Sequence, residues 1–387
     1  VMREAPVRIG MVAGEASGDQ LGAALISALR TYYPGARFAG VGGERMLAEG
    51  FESLFPLERL SVMGFVDPLK RLPELLRMRR GLYRYFLDAG CDLVLGIDSP
   101  DFNLGLEARL RARGVLTAHY VSPSVWAWRR GRIRKIARAV DRMLTLFPFE
   151  TEFYEQHGVP VTFVGHPLAD RFPVEPDSGD ARARLDLSGD GKLLAIMPGS
   201  RRSEVALMGP LFLRVARWLL ERHGDLRLVI PAANRDRYRQ LRNLLEDRPG
   251  LPVVLVEGQS HDAMAASDAV LLTSGTTALE AMLLKKPMVV AYRMGAMTYR
   301  LLSRLVKTPY IALPNLIAGR ALVPELVQDA ATVEALGNHL LQALYDNDYR
   351  ERQVLAYTDL HRQLRVDAAE TAARTLGAMI DERRART

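Results

Sequence analysis

The chain has 387 residues, 48% of them hydrophobic and 25% charged, which excludes a disordered or fibrous protein and suits two domains of ordinary size. Its single cysteine, Cys91, excludes a disulfide within the chain, argues against a structural zinc site and reads as a buried thiol. The formal charge of +7 allows an anionic partner but does not choose among nucleic acid, a lipid surface and a phosphorylated metabolite.

Residues 7–13 read as a strand running into the polar turn Gly14-Glu15-Ala16-Ser17-Gly18-Asp19 and then a helical pattern over 21–29. Strands are expected at 37–41, at 91–97 before Asp98-Ser99-Pro100-Asp101-Phe102-Asn103, at 115–121 before Ser122-Pro123, at 142–146, and at 161–164 before Gly165-His166-Pro167. The stretch 173–190, dense in proline, glycine and acidic residues, reads as a linker. The alternation then resumes with strands at 192–197 (before Pro198-Gly199-Ser200-Arg201), 226–230, 253–256, 269–272 (before Thr273-Ser274-Gly275-Thr276-Thr277) and 288–292. From about Val333 the pattern is helical. Strands separated by helix-length segments predict an α/β protein with parallel sheets. The expected domains are 1–172, the linker 173–190, 191–345, and a helical tail over 346–387. The first apolar run is short and carries no cleavage signal, and no window approaches membrane-spanning length, so the chain is expected in the cytosol or on the cytosolic face of a membrane.

Two turns, one in each half, are placed to meet a bound group with backbone N–H groups and short hydroxyls. In the first half Glu15, Ser17 and Asp19 stand past one strand and Asp98 past another. Asp98 reads either as a general base or as a turn or cap residue, and Asp101 as the helix cap. The first turn is neither a dinucleotide fingerprint nor a P-loop. In the second half Arg201 offers a planar fork suited to a diphosphate, with Arg202 beside it. Ser274, Gly275 and Thr276 form the complementary anion-binding turn, and Glu280, read at the start of the next helix, suits either ribose hydroxyls or the helix dipole. His119, His166 and His261 lie near strand ends without metal-ligand spacing, and no nucleophile elbow is present. The stretches 70–86 and 126–138 mix apolar and basic residues, a pattern shared by membrane contact, nucleic-acid contact and a solvated helix.

The motifs around these residues, together with Ser61-Val62-Met63-Gly64, Val121-Ser122-Pro123-Ser124-Val125-Trp126-Ala127-Trp128, Gly165-His166-Pro167-Leu168, Lys307-Thr308-Pro309-Tyr310 and Pro314-Asn315-Leu316, resemble those of the lipid-A-disaccharide synthase family from about residue 8 to 330. The resemblance implies the GT-B glycosyltransferase architecture, with two Rossmann-like domains facing a cleft and a last helix that often crosses back to the first. It implies inverting transfer from UDP-2,3-diacylglucosamine to 2,3-diacylglucosamine 1-phosphate, giving a β-1,6-linked disaccharide 1-phosphate and UDP. No cofactor, metal or nucleic acid is implied. The partners implied are the two acylated sugars and an anionic membrane surface, met peripherally on the cytosolic face of the inner membrane. A homodimer formed by exchange of C-terminal portions is left open. Among the residues, the resemblance makes Asp98 the general base. It makes Arg201, Ser274, Gly275, Thr276 and Glu280 the donor-nucleotide group, and Glu15, Ser17 and Asp19 a cleft-lining turn. Two further readings are another UDP-sugar enzyme, such as an epimerase or a transferase with a different acceptor, and a non-enzymatic basic protein that binds RNA or membrane.

Overall fold

Parallel strands covered on both faces appear in sequence as unbroken apolar runs, and the clearest of them, Leu93–Ile97, is buried at every position. The computed structural model describes residues 6–61, 68–125, 130–187, 189–248, 250–295, 299 and 308–386. They form two units, one of Val1–Asp170 with Leu364–Thr387, the other of Arg171–Gln363.

The first unit carries β1 (Arg8–Ala13), β2 (Arg37–Val41), β3 (Glu52–Ser53), β4 (Leu93–Ile97), β5 (Leu116–Tyr120), β6 (Arg142–Thr145) and β7 (Val161–Phe163). They form one sheet in the order β3-β2-β1-β4-β5-β6-β7, with parallel pairing such as Ala13 opposite Ile97 and Ile97 opposite Tyr120. The chain returns to this unit at Leu364. Its last helix, Ala368–Ala385, joins the core through Ala372, Ala373, Leu376 and Ile380. Arg384 fastens that helix to Asp92, whose carboxylate accepts from Nε at 2.9 Å.

The second unit carries β8 (Leu193–Met197), β9 (Arg227–Ala232), β10 (Val253–Glu257), β11 (Ala269–Leu272), β12 (Met288–Tyr292) and β13 (Glu325–Val327). Their order is β10-β9-β8-β11-β12-β13, again parallel. The helix Asn347–Leu364 lies almost wholly within this unit, so the expected helical tail is divided between the two.

The stretch read as a linker contains the helix Ser178–Arg184. Its turn-forming composition supplies the start of that helix, where Asp177 accepts the Gly179 N–H at 2.8 Å. Arg182 donates to Ala266 O and Asp268, and Arg184 to Asp262, so the segment is packed into the second unit. Cys91 is half-buried, and burial pushes its thiol up to about 11. No described helix is long and apolar enough to cross a membrane.

Candidate active site

In each sheet the strand order reverses at one place, between β1 and β4 in the first and between β8 and β11 in the second. In open parallel sheets the crevice beyond the carboxyl ends of such strands is where ligands bind. The candidate residues of both halves stand there.

In the first unit the turns after β1 and β4 touch. A Cβ on Gly14 would lie 1.6 Å from Ser99 Oγ, so only glycine allows the approach. Asp98 and Ser99 are both left-handed, with φ of 54° and 43°, and Val121 beyond β5 has φ of 77°. Such conformations cost about 1–3 kcal/mol each and persist where the surrounding structure enforces them. The enforcement is visible: the Asp98 N–H donates to Tyr120 O at 2.9 Å, and Asn103 Nδ2 donates to Asp98 O at 2.8 Å and to Val12 O at 3.1 Å. The Asp98 carboxylate accepts only the Ser99 N–H, at 2.7 Å, among the described residues. It lines a cavity of about 360 Å³ with Val121, Ser122, Ser124 and Arg132. Burial raises its pKa, opposed by the Ser99 N–H, raised further by the Glu15 charge and opposed by His119.

The structure corrects several readings here. Asp101 is not the cap; Ser99 holds that position without a side-chain bond, and Asp101 sits in the first turn paired with Arg132. Asp19 lines no open turn. It is 5% exposed, and its carboxylate accepts the N–H groups of Gly43, Arg45 and Met46 at 2.7, 3.1 and 3.1 Å, anchoring the helix Glu44–Ala48. Glu15 and Ser17 remain exposed, joined by a 2.6 Å bond from Ser17 Oγ to Glu15 Oε1. His119 is buried against Glu107, 2.8 Å from Nδ1, and His166 is half-buried, its pKa pushed down to about 4 by desolvation. In the basic stretch 126–138, residues 126–129 lie outside the described residues, and Ile133 and Ile136 are core.

From sequence Asn103 and Arg132 stood only within longer stretches, with no role of their own, and Glu107 was not singled out. Asn103 and Glu107 are four residues apart on one helix face, a polar pair on a buried surface that carried the signal. Glu107 fits because position 96 is glycine: a Cβ there would meet Glu107 Oε1 at 2.1 Å.

In the second unit the turn after β8 leads to Arg201, the N-cap of the helix Arg202–Leu220. Its guanidinium is 79% exposed and reaches Glu204 Oε1 at 2.7 Å, while Glu204 Oε2 accepts the N–H groups of Ser200 and Arg201. Arg202 is also exposed. After β11, Ser274 Oγ donates to Ile311 O at 3.1 Å, and Gly275 caps the helix Thr276–Leu283 with no side-chain cap bond. The first N–H groups of a helix have no partner inside it, so this exposed end is open to an anion. Glu280 lies beyond the first turn, which corrects its placement at the helix start; there it pairs with His261 Nε2 at 3.2 Å, which raises the His261 pKa. The loop behind this turn is fixed by Asn315, 1% exposed, which accepts from the Leu322 and Val323 N–H groups and donates to Glu325. Lys307 and residues 62–64 of the resemblance lie outside the described residues. Among the described residues no group of three or more His, Cys, Asp and Glu is arranged to hold a metal ion.

The family model described as lipid-A-disaccharide synthetase matches residues 9–376. The lipid-A-disaccharide synthase of Pseudomonas aeruginosa (strain LESB58) is 55% identical over 377 residues, covering 97% of this chain and 99% of its own. That of Azotobacter vinelandii (strain DJ) is 55% identical over 372 residues, covering 96% and 97%. The chain belongs to the lipid-A-disaccharide synthase family. The reading of an enzyme, a hexosyltransferase of lipid A biosynthesis, stands with that membership. Among solved structures, a putative UDP-N-acetylglucosamine 2-epimerase from Listeria monocytogenes aligns with TM-score 0.64 at 14% identity, covering 99% of this chain and 98% of its own. The Neisseria meningitidis UDP-GlcNAc 2-epimerase bound to UDP-GlcNAc aligns with TM-score 0.64 at 15% identity, covering 96% and 99%. At these identities the likeness shows the fold alone, which is the two-domain GT-B type expected from the sequence.

Proposed function

We propose that the chain joins UDP-2,3-diacylglucosamine to 2,3-diacylglucosamine 1-phosphate with inversion, with Asp98 as the general base. The observation that carries the base assignment is a half-buried carboxylate with a raised pKa, fixed by a strained turn at the first sheet's switch point and opening onto a cavity. Asp98 takes the proton of the acceptor 6-hydroxyl as its oxygen bonds to the donor's anomeric carbon, and the bond from that carbon to the diphosphate breaks. The departing UDP carries the negative charge. Arg201 and the open helix end at Gly275 and Thr276 are the groups of this chain suited to it, with Ser274 beside them and Glu280 for the ribose hydroxyls. The Glu15 charge raises the pKa of the base, and Ser17 holds Glu15 through its hydroxyl.

Both substrates carry acyl chains, each CH₂ costing about 0.8 kcal/mol to expose to water. Meeting them at a membrane surface avoids full extraction. The helix Pro68–Asp88 supports this, with Leu72 and Leu76 48% and 43% exposed while Met78, Leu82 and Phe86 are buried.

The test is a two-substrate assay in detergent with product analysis. UDP release is expected only when both diacylated sugars are present, with a β-1,6-linked disaccharide 1-phosphate as product. Conversion of the UDP-sugar without an acceptor would instead point to an epimerase.

A further inference from the structure

On the second sheet, the edge opposite Ser274 carries a cavity of about 600 Å³ at the amino ends of β11 and β12, walled on one side by the helix Asn347–Leu364. Four cations line it, Arg182, Lys285, Lys286 and Arg350, against two carboxylates, Asp268 and Glu351. Asp268 is already committed: it accepts from Arg182 at 2.8 Å, from the Leu193 N–H at 2.9 Å, and from Lys192 and Arg350 at 3.4 and 3.5 Å. Although burial pushes the other way, these partners hold its carboxyl below the usual range. Among the described residues the two lysines have no carboxylate within ion-pair distance. Lys285, 8% exposed, donates to Leu283 O at 2.8 Å and lies 2.6 Å from His361 Nδ1. Lys286 makes no side-chain hydrogen bond among the described residues. A desolvated ammonium without a carboxylate partner is costly, and here buried Lys285 and half-buried Lys286 stand on one wall. Asp268 serves the two arginines, so the lining keeps more positive than negative groups around the open volume.

We propose that this cavity binds a phosphate-class anion, seated on Lys285 and Lys286 with Arg182 and Arg350 at its sides. The site is distinct from the donor-nucleotide group, which stands at the other edge of the same sheet. Its rim carries the exposed Val354 and Leu355, the latter 67% exposed, so the phosphate of a lipid headgroup and a free phosphate share the chemistry required.

Burial, with Arg362 adding to it, pushes Lys285 down to about 8. Burial likewise lowers Lys286 to about 8, opposed by Asp268 and assisted by Arg350 and Arg182. A bound anion stabilises the protonated form of both, so affinity is fully present below that value and is lost as pH rises through it.

The experiment titrates inorganic phosphate calorimetrically into the full chain, into Lys286→Met and into Arg201→Ala, the last lacking the donor-side arginine. Binding is expected to survive in Arg201→Ala and to weaken at least about tenfold in Lys286→Met. In the unaltered chain affinity should fall between about pH 7 and pH 9, although phosphate itself gains charge over that range. The pH series keeps the test open if Lys286→Met does not fold. Sedimentation with phosphatidylglycerol and phosphatidylcholine vesicles separates the sources. Loss of anionic-vesicle binding in Lys286→Met assigns the site to a lipid headgroup; lost phosphate affinity with unchanged vesicle binding assigns it to a soluble phosphate. No phosphate binding in the unaltered chain, equal affinity in a folded Lys286→Met, or affinity that does not fall with pH would each overturn the proposal.

Discussion

The carboxyl of Asp98 stands between opposing influences. Burial and the Glu15 charge raise its pKa, the Ser99 N–H and His119 lower it, and the balance is upward. A general base works only when deprotonated, so with Asp98 in the proposed role the acid limb of the kcat/KM profile is expected above the ordinary aspartate range, with activity lost as pH falls through the raised value. Glu15→Gln removes one of the raising charges. The limb should then move to lower pH, which a pH–rate profile measures; an unmoved limb would separate Glu15 from the base. Asp98 was legible as a candidate because a carboxylate directly after an apolar strand marks the ligand-binding edge of a parallel sheet. Asp19 was misread because its three partners lie 24 to 27 residues further on and only the fold brings them to it. Glu280 and His261 belong to different helices, and neither carries a local sign of the other.

At the scale of elements, the hold of Asp19 on the helix Glu44–Ala48 is a claim about stability. The carboxylate serves three N–H groups that no helix bond would satisfy. Asp19→Ala should destabilise the first unit by about 1–3 kcal/mol or more, seen as a lower thermal midpoint, with a smaller loss for Asp19→Asn, which keeps one acceptor oxygen. An unchanged midpoint would show that this helix holds itself. The long strands were readable because both faces are buried, giving apolar runs such as those of β4, β8 and β11. The edge strands Glu52–Ser53 and Glu325–Val327 were not, since two or three residues leave no periodicity to read. The helix Ser178–Arg184 was hidden because proline, glycine and aspartate also mark helix starts, and its ties to Asp262 and Asp268 are long-range.

At the scale of the whole molecule, part of the excess positive charge stands on one helix. On the helix Pro68–Asp88, Arg77 and Arg80 are exposed near Leu72 and Leu76, whereas Arg79 is half-buried against Gly105. Each arginine near an anionic surface contributes about 1 kcal/mol, so replacing Arg77 and Arg80 with serine should weaken binding to anionic vesicles roughly thirtyfold while leaving neutral vesicles little affected. Co-sedimentation that does not respond would remove this helix as the contact. The stretch 126–138 offers less, since Ile133 and Ile136 are committed to the core. The central claim is testable at a single residue, because the proposed base belongs to the first unit and the proposed donor group to the second. Asp98→Asn keeps size and hydrogen bonding but removes the base. The measurement is its turnover number with both acylated sugars, alongside its UDP affinity by calorimetry. The account predicts a fall in turnover of about 10²–10⁴-fold with UDP affinity unchanged; near-normal turnover in this variant would contradict it.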